Sequence, residues 1–163
     1  MERIWAPWRM SYISNTEHED GCIFCLAWES SDDQEKLVLV RRQHSLIMLN
    51  RYPYTCGHLM VAPVRHTAEM NDLDDDQVLD LIKGVRQACD LLRKVAHPGG
   101  INIGMNLGKA AGAGVEEHLH IHVVPRWNGD TNFMTVTGSV RVIPEGLMES
   151  YARLAEVLRT DKP

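Results

Sequence analysis

Apolar and polar positions recur along this chain at two different periods, and the two periods predict its elements. Between Glu117 and Pro125, His118, His120 and His122 alternate with Leu119, Ile121 and Val123. A strict period of two is a strand pattern, so the three histidines share one face while the aliphatic residues pack into a core behind them. Residues 37–66 read as two antiparallel strands built from the aliphatic runs 37–40, 46–49 and 58–63, with a turn-rich connection at 50–57 and Pro63 closing the last run. From 72 to 96 the period changes. Val78, Leu81, Ile82, Val85, Cys89 and Leu92 recur at three and four residues, which predicts one long amphipathic helix. Asp74, Asp75 and Asp76 suit its positive end, Arg93 and Lys94 its negative end, and His97-Pro98-Gly99-Gly100 stops it. A strand follows at 101–106, with Gly104 allowing close approach of backbone or ligand; a short strand is expected at 140–143 and a closing helix at 144–158. This order predicts an α+β domain with a mainly antiparallel sheet and one long and one C-terminal helix to one side of it.

Size and charge narrow the classes. At 163 residues the chain has the length of one ordinary domain. We expect an N-terminal arm over 1–20, whose Trp5, Trp8 and Tyr12 dock on the body or on a partner subunit, and a single domain over 21–163. A net charge of −5 without long basic runs argues against binding a nucleic-acid polymer. No stretch approaches the apolar length of a membrane span and the first residues lack a signal-peptide core, so the expected location is cytoplasmic, with no membrane partner. In that compartment the four cysteines read as reduced thiols or metal ligands rather than a disulfide framework.

Three kinds of candidate chemistry remain. Three imidazoles on one face each offer a donor, an acceptor or a nucleophilic nitrogen near neutral pH. Cys22 and Cys25 form a Cys-x-x-Cys pair that supplies half of a closed tetrahedral metal site or stays unmetallated, with His44, His58, His66, His97 and the three aligned histidines as available partners. Cys56 and Cys89 read as small buried or half-buried residues. The loop 107–115 is rich in Gly and Ala and stands directly before the histidine strand, so its bare N–H groups can approach phosphate oxygens, although no Gly-Lys-Ser/Thr follows and it is not a P-loop.

The run His118-Leu-His120-Ile-His122-Val-Val resembles the signature of the histidine-triad family of nucleotide hydrolases and transferases. The early Trp5-x-x-Trp8-Arg-x-x-Tyr12 segment and the run Pro125-Arg-Trp127-Asn-Gly-Asp-x-Asn-Phe133 are similar to its dinucleoside tetraphosphate phosphorylase branch. Gly114 stands where the triphosphate hydrolase branch carries a glutamine, a departure that suits a more open phosphate site. The resemblance implies a homodimer that continues the sheet across a central edge. It also implies a structural zinc held by Cys22, Cys25, His66 and His118. His120 is implied as the nucleophile and His122 as a donor to the phosphate, beside Asn106 and the amides of Gly112, Ala113 and Gly114. Asn50 falls where ribose hydroxyls are held, although an Asn there also suits a plain turn. His58 falls beside the catalytic strand among the nucleotide-binding residues. Trp127 covers a base or a dimer seam, or simply packs. The implied activity is phosphorolysis of diadenosine tetraphosphate to ADP and ATP through a covalent nucleotidyl-histidine, with inorganic phosphate as acceptor and no catalytic metal. A hydrolase or phosphoramidase using water and a nucleotide-binding regulator with little turnover are the rival classes.

Overall fold

A three-residue reversal decides how the first half of the sheet is built. In the computed structural model, which describes residues 21–130, 143 and 145–160, the Arg42 amide donates to the Ser45 carbonyl at 2.8 Å. The chain therefore turns back at Arg42-Gln43-His44, where polar residues interrupt the aliphatic pattern. The span 37–66 consequently yields three strands rather than the two expected: β1 (Val38–Arg41), β2 (Ser45–Leu49) and β3 (Leu59–Pro63). With β4 (Gly100–Gly104) and β5 (Ile121–Arg126) they form one sheet in the order β1-β2-β3-β5-β4, every neighbouring pair antiparallel. The histidine strand is thus an interior strand, flanked on both sides.

Regular pairing in that strand begins only at Ile121. The preceding residues are held by another device, the Leu119 amide donating to the Thr67 carbonyl at 2.6 Å. The predicted alternation survives: Leu119, Ile121 and Val123 enter the main core, and His118 and His120 are themselves buried.

Among the described residues three helices complete the fold: α1 (Ile23–Glu29), α2 (Asp75–Ala96) and α3 (Leu147–Thr160). Helix α2 starts three residues later than its periodicity suggests because Asp74 caps it. The Asp74 carboxylate accepts from the Gln77 amide at 2.8 Å while the Gln77 side chain accepts from the Asp74 amide at 3.1 Å. Met70–Asp72 forms a separate 3-10 turn. Leu81, Val85, Cys89 and Leu92 face the sheet as expected, but Ile82 is 46% exposed, one position off the stripe. Gly84 permits the close approach of α2, since a Cβ there would lie 2.9 Å from Val61 Cγ1. Arg42 adds a polar clip, donating to Asp80 at 2.9 Å and to Gln87 at 2.8 Å.

Helices α2 and α3 cover one face of the sheet, over Ile47, Leu49, Leu59, Val61, Ile121 and Val123. The opposite face carries the histidines. There the short α1, which the apolar pattern did not announce, lays Phe24 and Ala27 on Val38, Leu46, Met48, Met60 and Ala62. Among the described residues no helix is long and apolar enough to cross a membrane. The predicted arm at 1–20, most of the predicted strand at 140–143 and the end of the aromatic loop from residue 131 lie outside the described residues.

Candidate active site and metal centre

At the lower end of the histidine run, His118 is committed through both ring nitrogens. Its Nε2 donates to the Pro63 carbonyl at 2.8 Å, which leaves Nδ1 as a lone pair. That lone pair points at Cys22 Sγ, 3.1 Å away, with His66 Nδ1 at 3.2 Å and Cys25 Sγ at 3.7 Å. Cys25 Sγ lies 3.3 Å from His66 Nδ1, and the four ligand atoms all fall within 4.8 Å of one another. Helix α1 delivers the two sulfurs, Cys22 as its N-cap and Cys25 from its first turn, and the segment after β3 delivers His66. Burial, reinforced by the neighbouring Cys22, pushes the Cys25 thiol up to about 11, so a thiolate pair here calls for a cation between its members. Two sulfurs and two imidazole nitrogens at these separations fit a tetrahedral divalent ion of the zinc type. All four metal candidates read from the sequence come together.

At the upper end, His58, immediately before β3, stands against His122. His58 has no exposed surface, and its Nε2 lies 3.0 Å from His122 Nδ1. The Tyr54 amide donates to His58 Nδ1 at 3.1 Å, and Asn50 Nδ2 lies 3.3 Å from the same atom. The Asn50 carboxamide is oriented by the Tyr52 amide, which donates to Asn50 Oδ1 at 2.9 Å. His58, expected among the nucleotide-binding residues, is fully buried and faces His122 and Asn50. The Tyr54 ring stacks 4.5 Å from His58 and 5.7 Å from His122.

Between these ends, His120 Nδ1 donates to the His118 carbonyl at 2.9 Å, so its Nε2 carries the lone pair. The Phe24 ring packs 5.0 Å from both His118 and His120, and His122 meets His120 edge-on at 4.8 Å. Burial holds all three imidazoles below their ordinary value of 6.5. The carbonyls of Pro63 and His118 partly offset this for His118 and His120, and the neighbouring His120 adds to the lowering at His122. The run therefore presents neutral rings near pH 7. Tyr54, Phe24 and the Pro63 carbonyl were not singled out by sequence. Phe24 stands between the two cysteines and Tyr54 four residues before His58, and those spacings were the available signal.

The small-residue loop folds back on itself. Asn106 Nδ2 donates weakly to the Gly112 carbonyl at 3.5 Å, and Gly112, in the left-handed region at φ 88°, closes the 3-10 turn Lys109–Ala111. Gly112 and Gly114 are exposed and Ala113 half-buried. Asn106, Gly104, Tyr54 and His122 border an open groove of about 1130 Å³. Trp127 also lines it, with its indole N–H donated to the Ala96 carbonyl at 3.2 Å, so packing against the end of α2 is one of its functions.

Residues 31–129 match the HIT domain family. The chain belongs to that family. As a HIT protein it is 39% identical, over 95% of its length and 83% of the relative's, to a protein of Mycobacterium tuberculosis described as AP-4-A phosphorylase. A 93-residue stretch, 57% of the chain and 50% of the relative, is 33% identical to the asymmetrical bis(5'-nucleosyl)-tetraphosphatase of Schizosaccharomyces pombe. Among solved structures, a Zn-bound histidine triad family protein from Mycobacterium smegmatis superposes with a TM-score of 0.67 at 30% identity, covering 86% of this chain and 94% of that one. The resemblance on which the family was expected, and the α+β antiparallel fold, both hold. The two relatives named for dinucleoside tetraphosphate chemistry support an enzyme of that class.

Proposed function

We propose that this HIT protein is a nucleotidyltransferase that cleaves diadenosine tetraphosphate by phosphorolysis. The observation that carries the reading is the state of His120: its Nδ1–H is committed to the His118 carbonyl and its Nε2 lone pair faces away from the backbone. A neutral imidazole so oriented is a nucleophile that needs no separate base. In the first step His120 Nε2 attacks the α-phosphorus, the bond from that phosphorus to the bridging oxygen breaks, and ATP leaves with the electron pair. In the second, an oxygen of inorganic phosphate attacks the same phosphorus, the P–N bond breaks, and ADP leaves with the imidazole restored. His122 donates to the phosphate oxygens through Nε2, joined by Asn106 and by the amides of Gly112, Ala113 and Gly114. Asn50 receives the ribose hydroxyls beside it. The similarity to a relative described as AP-4-A phosphorylase over nearly the whole chain supports the choice of substrate and acceptor.

Two further features belong to this reading. Cys22, Cys25, His66 and His118 hold one structural zinc, whose bound form ties α1 to the base of the histidine run. The exposed edge strand β4, with Ile103 54% exposed, supports pairing of two copies edge to edge into a continuous sheet.

A second reading, with water as acceptor, is favoured by the similarity to a tetraphosphatase. The product decides between them. With millimolar phosphate, purified enzyme should convert diadenosine tetraphosphate to ADP and ATP, and turnover should slow sharply when phosphate is removed. AMP and ATP at every phosphate concentration would establish water as the acceptor.

A further inference from the structure

The donors around His58 fix a proton order that no single side chain reveals. A backbone N–H only donates, so the Tyr54 amide at 3.1 Å makes His58 Nδ1 an acceptor. The Asn50 contact agrees independently: the Tyr52 amide occupies Asn50 Oδ1, which leaves the Asn50 NH₂ group toward His58 Nδ1. With Nδ1 an acceptor, the His58 proton sits on Nε2 and is donated across 3.0 Å to His122 Nδ1. His122 then carries its own proton on Nε2, the nitrogen remote from His58.

We infer that His58 is a positioning residue that holds His122 in its Nε2–H form, at the end of a donor chain that begins at the Tyr54 backbone amide. This rests on the reading of His122 as the donor to phosphate oxygens and specifies how that donor is maintained. Without the chain, a neutral imidazole exchanges between two tautomers of similar energy, and in the other one His122 turns a lone pair toward the phosphate. A lone pair there repels the charge that develops in the transition state, so the fixed tautomer belongs to transition-state stabilisation rather than to ground-state affinity. The fully buried His58 ring, stacked under Tyr54, keeps water from substituting for it.

Two substitutions separate this role from mere support. In His58→Gln the side-chain NH₂ stands near the place of Nε2 and still donates to His122. In His58→Asn the side-chain oxygen still accepts from the Tyr54 amide, but the donor toward His122 is lost. Nitrogen-15 NMR of histidine-labelled enzyme reads the His122 tautomer directly. Wild type should show Nε2–H, and His58→Asn should lose that preference while kcat falls by about tenfold to a hundredfold with KM nearly unchanged. His58→Gln should recover both tautomer and kcat relative to His58→Asn. A wild-type His122 protonated on Nδ1 overturns the inference even if neither variant folds, and so does a His58→Asn enzyme that keeps wild-type tautomer and kcat. The NMR reading does not depend on the acceptor, so AMP as the product would sink phosphorolysis and leave the donor chain standing.

Discussion

His118 and His122 stand four residues apart in one alternating run, on one face of one sheet, yet they are committed to different chemistry. His118 gives its Nε2–H to the Pro63 carbonyl and turns Nδ1 toward two thiols and an imidazole. His122 receives at Nδ1 from another histidine and keeps Nε2 for the site. Nothing in the two side chains themselves produces this difference. Which ring nitrogen is free follows from what faces the other one, a carbonyl in the first case and a histidine in the second. His120, between them, takes its orientation from the carbonyl of His118, so the Cys/His cluster and the proposed nucleophile are joined by a single residue.

The strongest way to break the comparison is to remove the residue in the middle. His120→Gly should lower turnover by about three powers of ten or more, because the covalent route loses its nucleophile, while metal content remains that of wild type. Wild-type-like activity in the product assay would end the assignment. Next in size is the Cys/His cluster. Protein prepared without chelator should contain one zinc per chain, and Cys22→Ser should lose most of it and about 2 kcal/mol of stability, roughly 4–8 °C in Tm for a chain of this size. An unchanged Tm together with zinc near zero in the wild type would return the thiols to ordinary packing. In the same variant the His122 tautomer should persist, since its donor chain runs through β3 and the 50–57 connection rather than through α1.

The smallest expected effect sharpens the comparison through pH. Burial disfavours the charged form of His120 and His122, so both take up a proton below the ordinary 6.5. kcat/KM should therefore be flat through pH 7 and reach half its plateau only below pH 6.5. A midpoint at or above 6.5 contradicts the buried neutral rings. The sign for stability is the same. As pH falls, the unfolded chain binds protons at these positions before the folded one does, so the native state weakens below about pH 6.5.

The residues of both corners were readable in the sequence to different depths. The period of two placed three histidines on one face. The Cys-x-x-Cys pair offered half of a metal site, and the family resemblance supplied His66 and His118, which the fold then brings to within 4.8 Å of it. The long helix was legible to within a few residues because its period is sustained over 22 residues and side chains, Asp74 and Gln77, cap its start. What was not legible is supplied by the main chain: the carbonyls of Pro63 and His118, the amides of Tyr52, Tyr54 and Leu119, and the reversal at 42–44 that turns two expected strands into three. Backbone groups are present at nearly every position, so only the folded path shows which of them matter. Phe24 escaped notice for a related reason, since seven residues are too few for periodicity to announce α1.

The amide at Tyr54 also bears on how this site can vary. A donor supplied by the peptide bond is indifferent to the side chain attached to it, and only proline at position 54 would delete it. The Tyr54 ring, meanwhile, is 42% exposed and forms part of the groove wall. Position 54 thus separates two properties that are usually inherited together, the shape presented to a ligand and the wiring beneath it. Rings of other shape at this position, which still cover His58, can change what a ligand meets while the amide beneath keeps its donor.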